Sequence, residues 1–474
     1  MSLPGCVSLS RRLCPMRMWG VVALLVALLM TVAARPAAAQ AVVPRPLGAG
    51  LIVSQPSADG TATPSVVLEN PIGQITLRDA LALALRQSPE LASFAWEIRA
   101  RESAAIQAGR PSNPVADILF EDLGASGRAP DDGRVVGPQT TVQLSQLIEL
   151  GGKRAARRTL AGLDRDLAEW DFESARIDVL TRVTAAFLDV LASQQTLALA
   201  ERNRALFDQV DQTVRTRVEA GVVSPIEQTK AGVALAMARI DAQRAQRSLA
   251  ADRTALAALW GHSTALFESV AGDLLSPPLL PSFDALVQHV VRNPEVARWV
   301  TESARRDAAR ALESARGVPD VTVTAGYRRL SEIDSNAIVI GASIPLPFVD
   351  RNRAGVQAAT QRVAQAREEE RAARARITTL LAAAYRNLAA AHDEAAALAS
   401  SVLPGARSAF AAVEEGYRLG RFGYLEVLDA QRTLVAAETQ HLRALAEAHK
   451  AAAQVERLVG VPLADAATTP VKGQ

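Results

Sequence analysis

Residues 152–261 read GKRAARRTLAGLDRDLAEWDFESARIDVLTRVTAAFLDVLASQQTLALAERNRALFDQVDQTVRTRVEAGVVSPIEQTKAGVALAMARIDAQRAQRSLAADRTALAALWG. From Lys153 to Glu219 there is no proline, and Gly162 is the only glycine. Ala, Leu, Arg, Glu, Gln and Asp dominate, a helix-forming composition sustained far beyond the usual helix length. At about 1.5 Å per residue, such a run makes a rod of roughly 100 Å. The rod is expected to stop at Ala220-Gly221-Val222-Val223-Ser224-Pro225. Gly221 suits a left-handed C-terminal cap, Ser224 an N-cap, and Pro225 the first position of a new helix. The chain then returns through Glu227 to Trp260 and stops at Gly261. The pattern predicts an antiparallel helical hairpin over 152–261, far longer than an ordinary soluble enzyme needs.

Upstream, Thr76 with Asp79 predicts a capped helix through Gln87, and Ser88-Pro89-Glu90 restarts a helix to about Gly109. Short alternating segments at 115–123 and 140–147, separated by a Gly/Asp/Pro-rich loop at 124–138, predict a strand pair. The Pro-rich stretch 272–281 reads as a linker. After it the pattern repeats. Asn293-Pro294-Glu295 mirrors Ser88-Pro89-Glu90, and strands are expected at 321–328 and 337–344. Val321, Val323, Ala325 and Tyr327 would share one face, with Thr322, Thr324, Gly326 and Arg328 on the other. A second hairpin over 352–460 turns at Gly420-Arg421-Phe422-Gly423. An offset of 199 links Gly221 to Gly420, Glu227 to Glu426, Ala231 to Ala430 and Gly261 to Gly460. A shared offset at separate landmarks points to internal duplication. Pro404 falls inside the second long helix and should kink or bulge it.

The fold class is therefore mainly α with a small β part: a duplicated strand pair plus long helical hairpin. Repeat 1 spans 75–271 and repeat 2 spans 282–463, between a Pro-rich leader (40–74) and a tail (464–474). Four strands per chain leave two unpaired edges, which oligomerisation would close into a barrel. A small soluble β-cap is the alternative reading of the same strands.

Arg11, Arg12 and Arg17 precede an apolar run from Val21 to Val32, followed by Ala37-Ala38-Ala39. This reads as a signal peptide over 1–39; an uncleaved anchor helix is the alternative, though the run is short for a span. Cleavage would leave 48 Lys and Arg against 50 Asp and Glu, a net charge of −2, so the basic whole chain is no argument for nucleic acid. Cys6 and Cys14 both lie in the signal, so no disulfide, thiolate metal site or lipidated N-terminal Cys is expected. No uninterrupted run of 18 apolar residues follows, so membrane entry is expected through strands rather than helices.

The chemistry of an enzyme is missing. His262, His289, His392, His441 and His449 show no metal-ligand spacing, and Met237 is the only methionine after the signal. No phosphate loop or nucleophile elbow occurs, and no cofactor is expected. Glu368-Glu369-Glu370 between Arg367 and Arg371 reads as a charged helix surface.

The duplicated layout, from about Ile75 to Val461, resembles the TolC family of outer-membrane efflux ducts. Gln146-Leu147-Ile148-Glu149-Leu150-Gly151-Gly152-Lys153-Arg154 and Ile344-Pro345-Leu346-Pro347-Phe348-Val349-Asp350-Arg351-Asn352-Arg353 are similar to the CzcC branch, which serves cation-efflux pumps of the RND type. The second departs in having Arg353-Ala354 before Gly355. The resemblance implies a homotrimer with twelve strands in outer-membrane lipid and a twelve-helix tube across the periplasm. It also implies a periplasmic adaptor, docking on Gly221, Val222, Val223, Ser224, Gly420, Phe422 and Gly423, and an inner-membrane RND pump. By resemblance, Tyr417 and Arg421 match a gate at the second turn. Glu426 and Asp429 match a cation-selective ring, with Glu227 its partner acid, although Glu stands for Asp at two places. From the residues alone, Glu426 and Asp429 share a face of a first helical turn, where carboxylates also simply suit the helix N-terminus. The expected function is a passive exit duct for heavy-metal cations. A duct for drugs or type I secretion, and a poreless periplasmic coiled-coil scaffold, are the alternatives.

Overall fold

The computed structural model describes residues 70–123, 127–128, 135–331 and 333–468. The signal over 1–39, all but the last few residues of the leader and the end of the tail lie outside the described residues. The elements, in chain order, are β1 (Gly73–Thr76), α1 (Leu77–Gln87), α2 (Pro89–Ala108), β2 (Val115–Glu121), β3 (Gly127–Arg128), β4 (Val135–Val136) and β5 (Gln139–Ile148). The long hairpin follows as α3 (Lys153–Glu219) and α4 (Pro225–Ala258). Then come β6 (Phe267–Ala271), α5 (Phe283–His289), α6 (Pro294–Arg316), β7 (Val321–Leu330) and β8 (Ser335–Ser343). The second hairpin is α7 (Arg353–Ala397), a π turn (Leu398–Val402), α8 (Leu403–Arg418) and α9 (Tyr424–Val459), and α10 (Leu463–Thr468) closes the described chain.

Helix α3 is a single helix of 67 residues. Thr76 caps α1 through a full capping box with Asp79. The proline effect lands one turn early. Pro404 lacks an N–H, and its ring crowds the carbonyl four residues back, so the helix widens to π geometry over Leu398–Val402 before α8 continues.

Several boundaries correct the sequence reading. The first strand ends at Glu121 rather than 123, because Asp122 turns into the left-handed region (φ 58°). Its partner covers 139–148 rather than 140–147, and the second pair covers 321–330 and 335–343. The loop 124–138 contains the short antiparallel pair β3–β4. The leader does not end at 74: β1 straddles that boundary and pairs in parallel with β6. Strands of four or five residues joined across some 190 positions leave no periodic signal. They are held by a core in which Trp260 and Phe267 are fully buried against α1 and the middle of α3. A second core gathers Leu286, Ile377, Leu381 and Leu388 with the end of α9.

By composition, the helices Lys153–Glu219 and Arg353–Arg418 each contain an 18-residue window apolar enough to cross a membrane. Neither window is an uninterrupted apolar run, and each belongs to a helix more than three times longer than a span requires.

The main sheet has the order β2-β5-β7-β8, antiparallel throughout. Its register aligns one apolar face across all four strands. Ile118 pairs with Val142, Val142 with Tyr327, and Tyr327 with Ile338; one step along, Ala116, Leu144, Ala325 and Ile340 form the next row. Ile118, Ile338 and Ile340 are 63%, 73% and 79% exposed. The opposite face carries Leu119, Leu147 and Val339 but is mainly polar, and its polar groups bond to one another. Ser145 joins Asp117 and Thr324, and Thr141, only 1% exposed, accepts from Arg328. A soluble sheet buries its apolar face; this one is inside out.

Candidate functional site

The far end of the molecule from the sheet is built by the two helical turns. Both follow one hydrogen-bonding scheme. Gly221 (φ 71°) donates to Val218 O at 2.9 Å and Val222 N–H to Arg217 O at 2.9 Å. Gly420 (φ 74°) donates to Tyr417 O at 3.0 Å and Arg421 N–H to Gly416 O at 2.8 Å. Each is a Schellman cap, which needs the left-handed residue that only glycine adopts without cost. The restarts differ. Ser224 Oγ accepts from Ile226 N–H at 3.3 Å and Pro225 begins α4. Gly423 begins α9 without a side-chain cap. Instead the Glu426 carboxylate folds back over it, so that a Cβ at 423 would stand 2.8 Å from Oε2.

Behind the turns, Val214 on α3, Ala231 and Ala234 on α4, Tyr417 on α8, and Tyr424, Val427 and Leu428 on α9 form one buried cluster. It ties the two hairpins together. The Arg217 guanidinium lies 4.7 Å above the Tyr417 ring, and the Tyr417 and Tyr424 rings are 6.3 Å apart. Burial, then the neighbouring Tyr417 and Asp211, pushes the Tyr424 hydroxyl up to about 12. Tyr417 and Arg421 are not brought together. Tyr417 is buried between the hairpins and its hydroxyl finds no hydrogen-bond partner among the described residues, whereas Arg421 is exposed on the turn. Within one chain, Tyr417 is held by Arg217 rather than by its hydroxyl. Arg217→Ala should therefore loosen the tip by about 0.5–2 kcal/mol, the range of a cation–π contact. Hydrogen exchange around 210–218 and 413–428 should quicken while exchange in the β1–β6 region stays unchanged.

The acids also divide. Glu227 is half-buried with one carboxylate oxygen that has no hydrogen-bond partner among the described residues, while Glu426 and Asp429 are exposed. Val222 and Phe422 stand out from the turns, and Val223 packs against the cluster. Gly416 and Tyr424 escape the sequence reading. A Cβ at Gly416 would lie 2.1 Å from the Phe422 ring. The available signal was a glycine inside the last helical turn with an aromatic six residues on.

The geometry is thus a four-strand inside-out sheet at one end and two capped turns at the other, joined by helices of up to 67 residues. The pattern of the outer membrane efflux proteins matches residues 80–262 and again 285–461. The chain belongs to the outer membrane efflux protein family. The chain is 35% identical to the cobalt-zinc-cadmium resistance protein CzcC of Cupriavidus metallidurans, over 85% of this chain and 94% of that protein. It is 30% identical to the nickel-cobalt-cadmium resistance protein NccC of Alcaligenes xylosoxydans, over 63% of this chain and 66% of that protein. Among solved structures, the outer membrane channel MtrE of Neisseria gonorrhoeae aligns with a TM-score of 0.65 at 18% identity, covering 89% of this chain and 98% of that one. The outer membrane protein VceC of Vibrio cholerae aligns with a TM-score of 0.65 at 17%, covering 81% and 96%. At such identities these two speak for the fold.

Proposed function

We propose that three copies of this chain close a twelve-strand barrel in the outer membrane, continuous with a twelve-helix tube, and that this duct passively releases heavy-metal cations. The observation that carries the reading is the inside-out sheet. Its edges, β2 and β8, pair with no other strand among the described residues, and backbone groups in lipid must all be paired. Edge-to-edge association of copies closes the sheet without new elements. Ion choice follows from the names of CzcC and NccC, which point to divalent cations such as Co²⁺, Zn²⁺, Cd²⁺ and Ni²⁺. Energy would come from an inner-membrane RND pump.

A periplasmic adaptor would dock on the turns Gly221, Val222, Val223, Ser224, Gly420, Phe422 and Gly423. Beside them an open groove of about 940 Å³ runs between α3, α4 and α9, lined by Phe207, Lys230, Met237, Leu425, Arg432 and Arg443. Tyr417 with Arg421 would act as the tip gate, and Glu227, Glu426 and Asp429 as the acidic ring.

The test is growth of a strain lacking this chain on Zn²⁺, Co²⁺, Cd²⁺, Ni²⁺, Cu⁺ and Ag⁺. The expected result is a lowered tolerance for at least one of the divalent ions, restored by the chain in trans. Unchanged tolerance to all six, with new sensitivity to dyes or detergents, would move the function to drug efflux.

A further inference from the structure

We propose that Glu121 and Arg328 form a charge-setting collar at the extracellular mouth of the barrel, in which Arg328 holds down the cation attraction of Glu121 and Asp117. The inference rests on the closed-barrel reading above. Arg328 lies on the polar face of β7, two residues from its loop end and opposite Thr141 of β5. Its guanidinium is held by groups from neighbouring strands. Nε donates to Thr141 Oγ1 at 3.0 Å and Nη1 to Gln139 Oε1 at 3.5 Å. Nη2 stands 3.4 Å from Glu121 Oε2, an ion pair without hydrogen-bond geometry, so that shielded oxygen accepts no hydrogen bond among the described residues. Gln139 in turn donates to Asp122 Oδ2 at 2.9 Å, which fixes the amide that orients Arg328.

Both charged side chains keep about a third of their surface open, 34% for Arg328 and 40% for Glu121. A guanidinium fixed by three neighbours yet open to the lumen is a rigid charge, and rigid charges in a walled channel focus the potential. The other polar-face side chains around it, Gln139, Thr141, Gln143, Ser145, Thr322 and Thr324, are neutral. With Asp117 and Glu121 against Arg328, the formal lumenal charge of the four strands is −1 per chain. Arg328→Gln makes it −2, and Glu121→Gln makes it 0.

The acids at the helical turns would sit in series with this collar, so the readout must be specific to one side. In planar bilayers at low salt, where the screening length reaches about 30 Å, hexaamminecobalt(III) is added to the extracellular side and the half-blocking concentration is read. For Arg328→Gln it should fall about fivefold or more, because a trivalent ion feels a change in potential three times over. For Glu121→Gln it should rise, and Arg328→Lys should match the wild type. Block from the periplasmic side should be unchanged in all three. Channels of wild-type conductance with an unchanged extracellular half-blocking concentration in both Gln variants would overturn the collar and leave the pair a strand staple. Absence of any channel in the wild-type protein would overturn the barrel reading instead.

Discussion

Gly151→Ala should cost about 2–5 kcal/mol and lower the yield of assembled protein. Gly151 sits between β5 and α3 at φ 69°. A left-handed backbone costs an L-residue about 1–2 kcal/mol. A Cβ there would also stand 2.7 Å from Val318 Cβ and 3.1 Å from Ala315 O, and overpacking costs about 1–3 kcal/mol more. The site matters because sheet and helix are locked there. Asp320 accepts from Leu150 N–H at 2.9 Å and pairs with the buried Lys153 at 2.7 Å, while Arg157 grips both oxygens of Glu149. Gly152 is the internal control. It has φ 75° but nothing within 4 Å of a Cβ, so Gly152→Ala should cost only the conformational part. Adding Val318→Ala to Gly151→Ala should recover little of the loss, because alanine keeps the Cβ that stands 2.7 Å away. Thermal melting of the detergent-extracted protein gives the order, and equal losses at 151 and 152 would remove the packing argument.

The second large effect concerns the acids. Around a threefold axis, Glu227, Glu426 and Asp429 would contribute nine carboxylates, and Glu426→Gln with Asp429→Asn removes six of them while keeping size. Charges converging in a narrow mouth concentrate cations. The double change should lower the cation-over-anion permeability ratio on the order of tenfold and weaken block by trivalent cations from the periplasmic side. The competing account has its own observation, the Glu426 carboxylate folded over Gly423 at the start of α9. If the acids only serve that helix end, the change should cost about 0.3–1 kcal/mol and leave the reversal potential where it was.

What could be read from the sequence was what local rules govern. An unbroken run of helix formers between Lys153 and Glu219, ended by Gly221, Ser224 and Pro225, leaves the chain one way to fold. Alternation from Val321 to Tyr327 is a property of neighbours, and so the face that Val323, Ala325 and Tyr327 share was visible before any partner strand was known. Pro404 announced a defect in its helix. What stayed hidden depends on residues far apart in the chain. Nothing near Gly73 foretells its pairing with Phe267, and nothing near Arg328 foretells Glu121 and Gln139. The tip shows the same limit. Tyr417 and Arg421 look like a pair four residues apart, but the Schellman turn sends one into the core and the other into solvent. The cation stacked on the Tyr417 ring, Arg217, comes from the other hairpin.

The central claim is that one chain supplies a third of a closed barrel, and native mass spectrometry of protein extracted from the outer membrane in mild detergent tests it most directly. Three chains per particle, persisting until the detergent or heat that also melts the sheet, is the predicted result. A folded, stable monomer with the β2 and β8 edges open would contradict it.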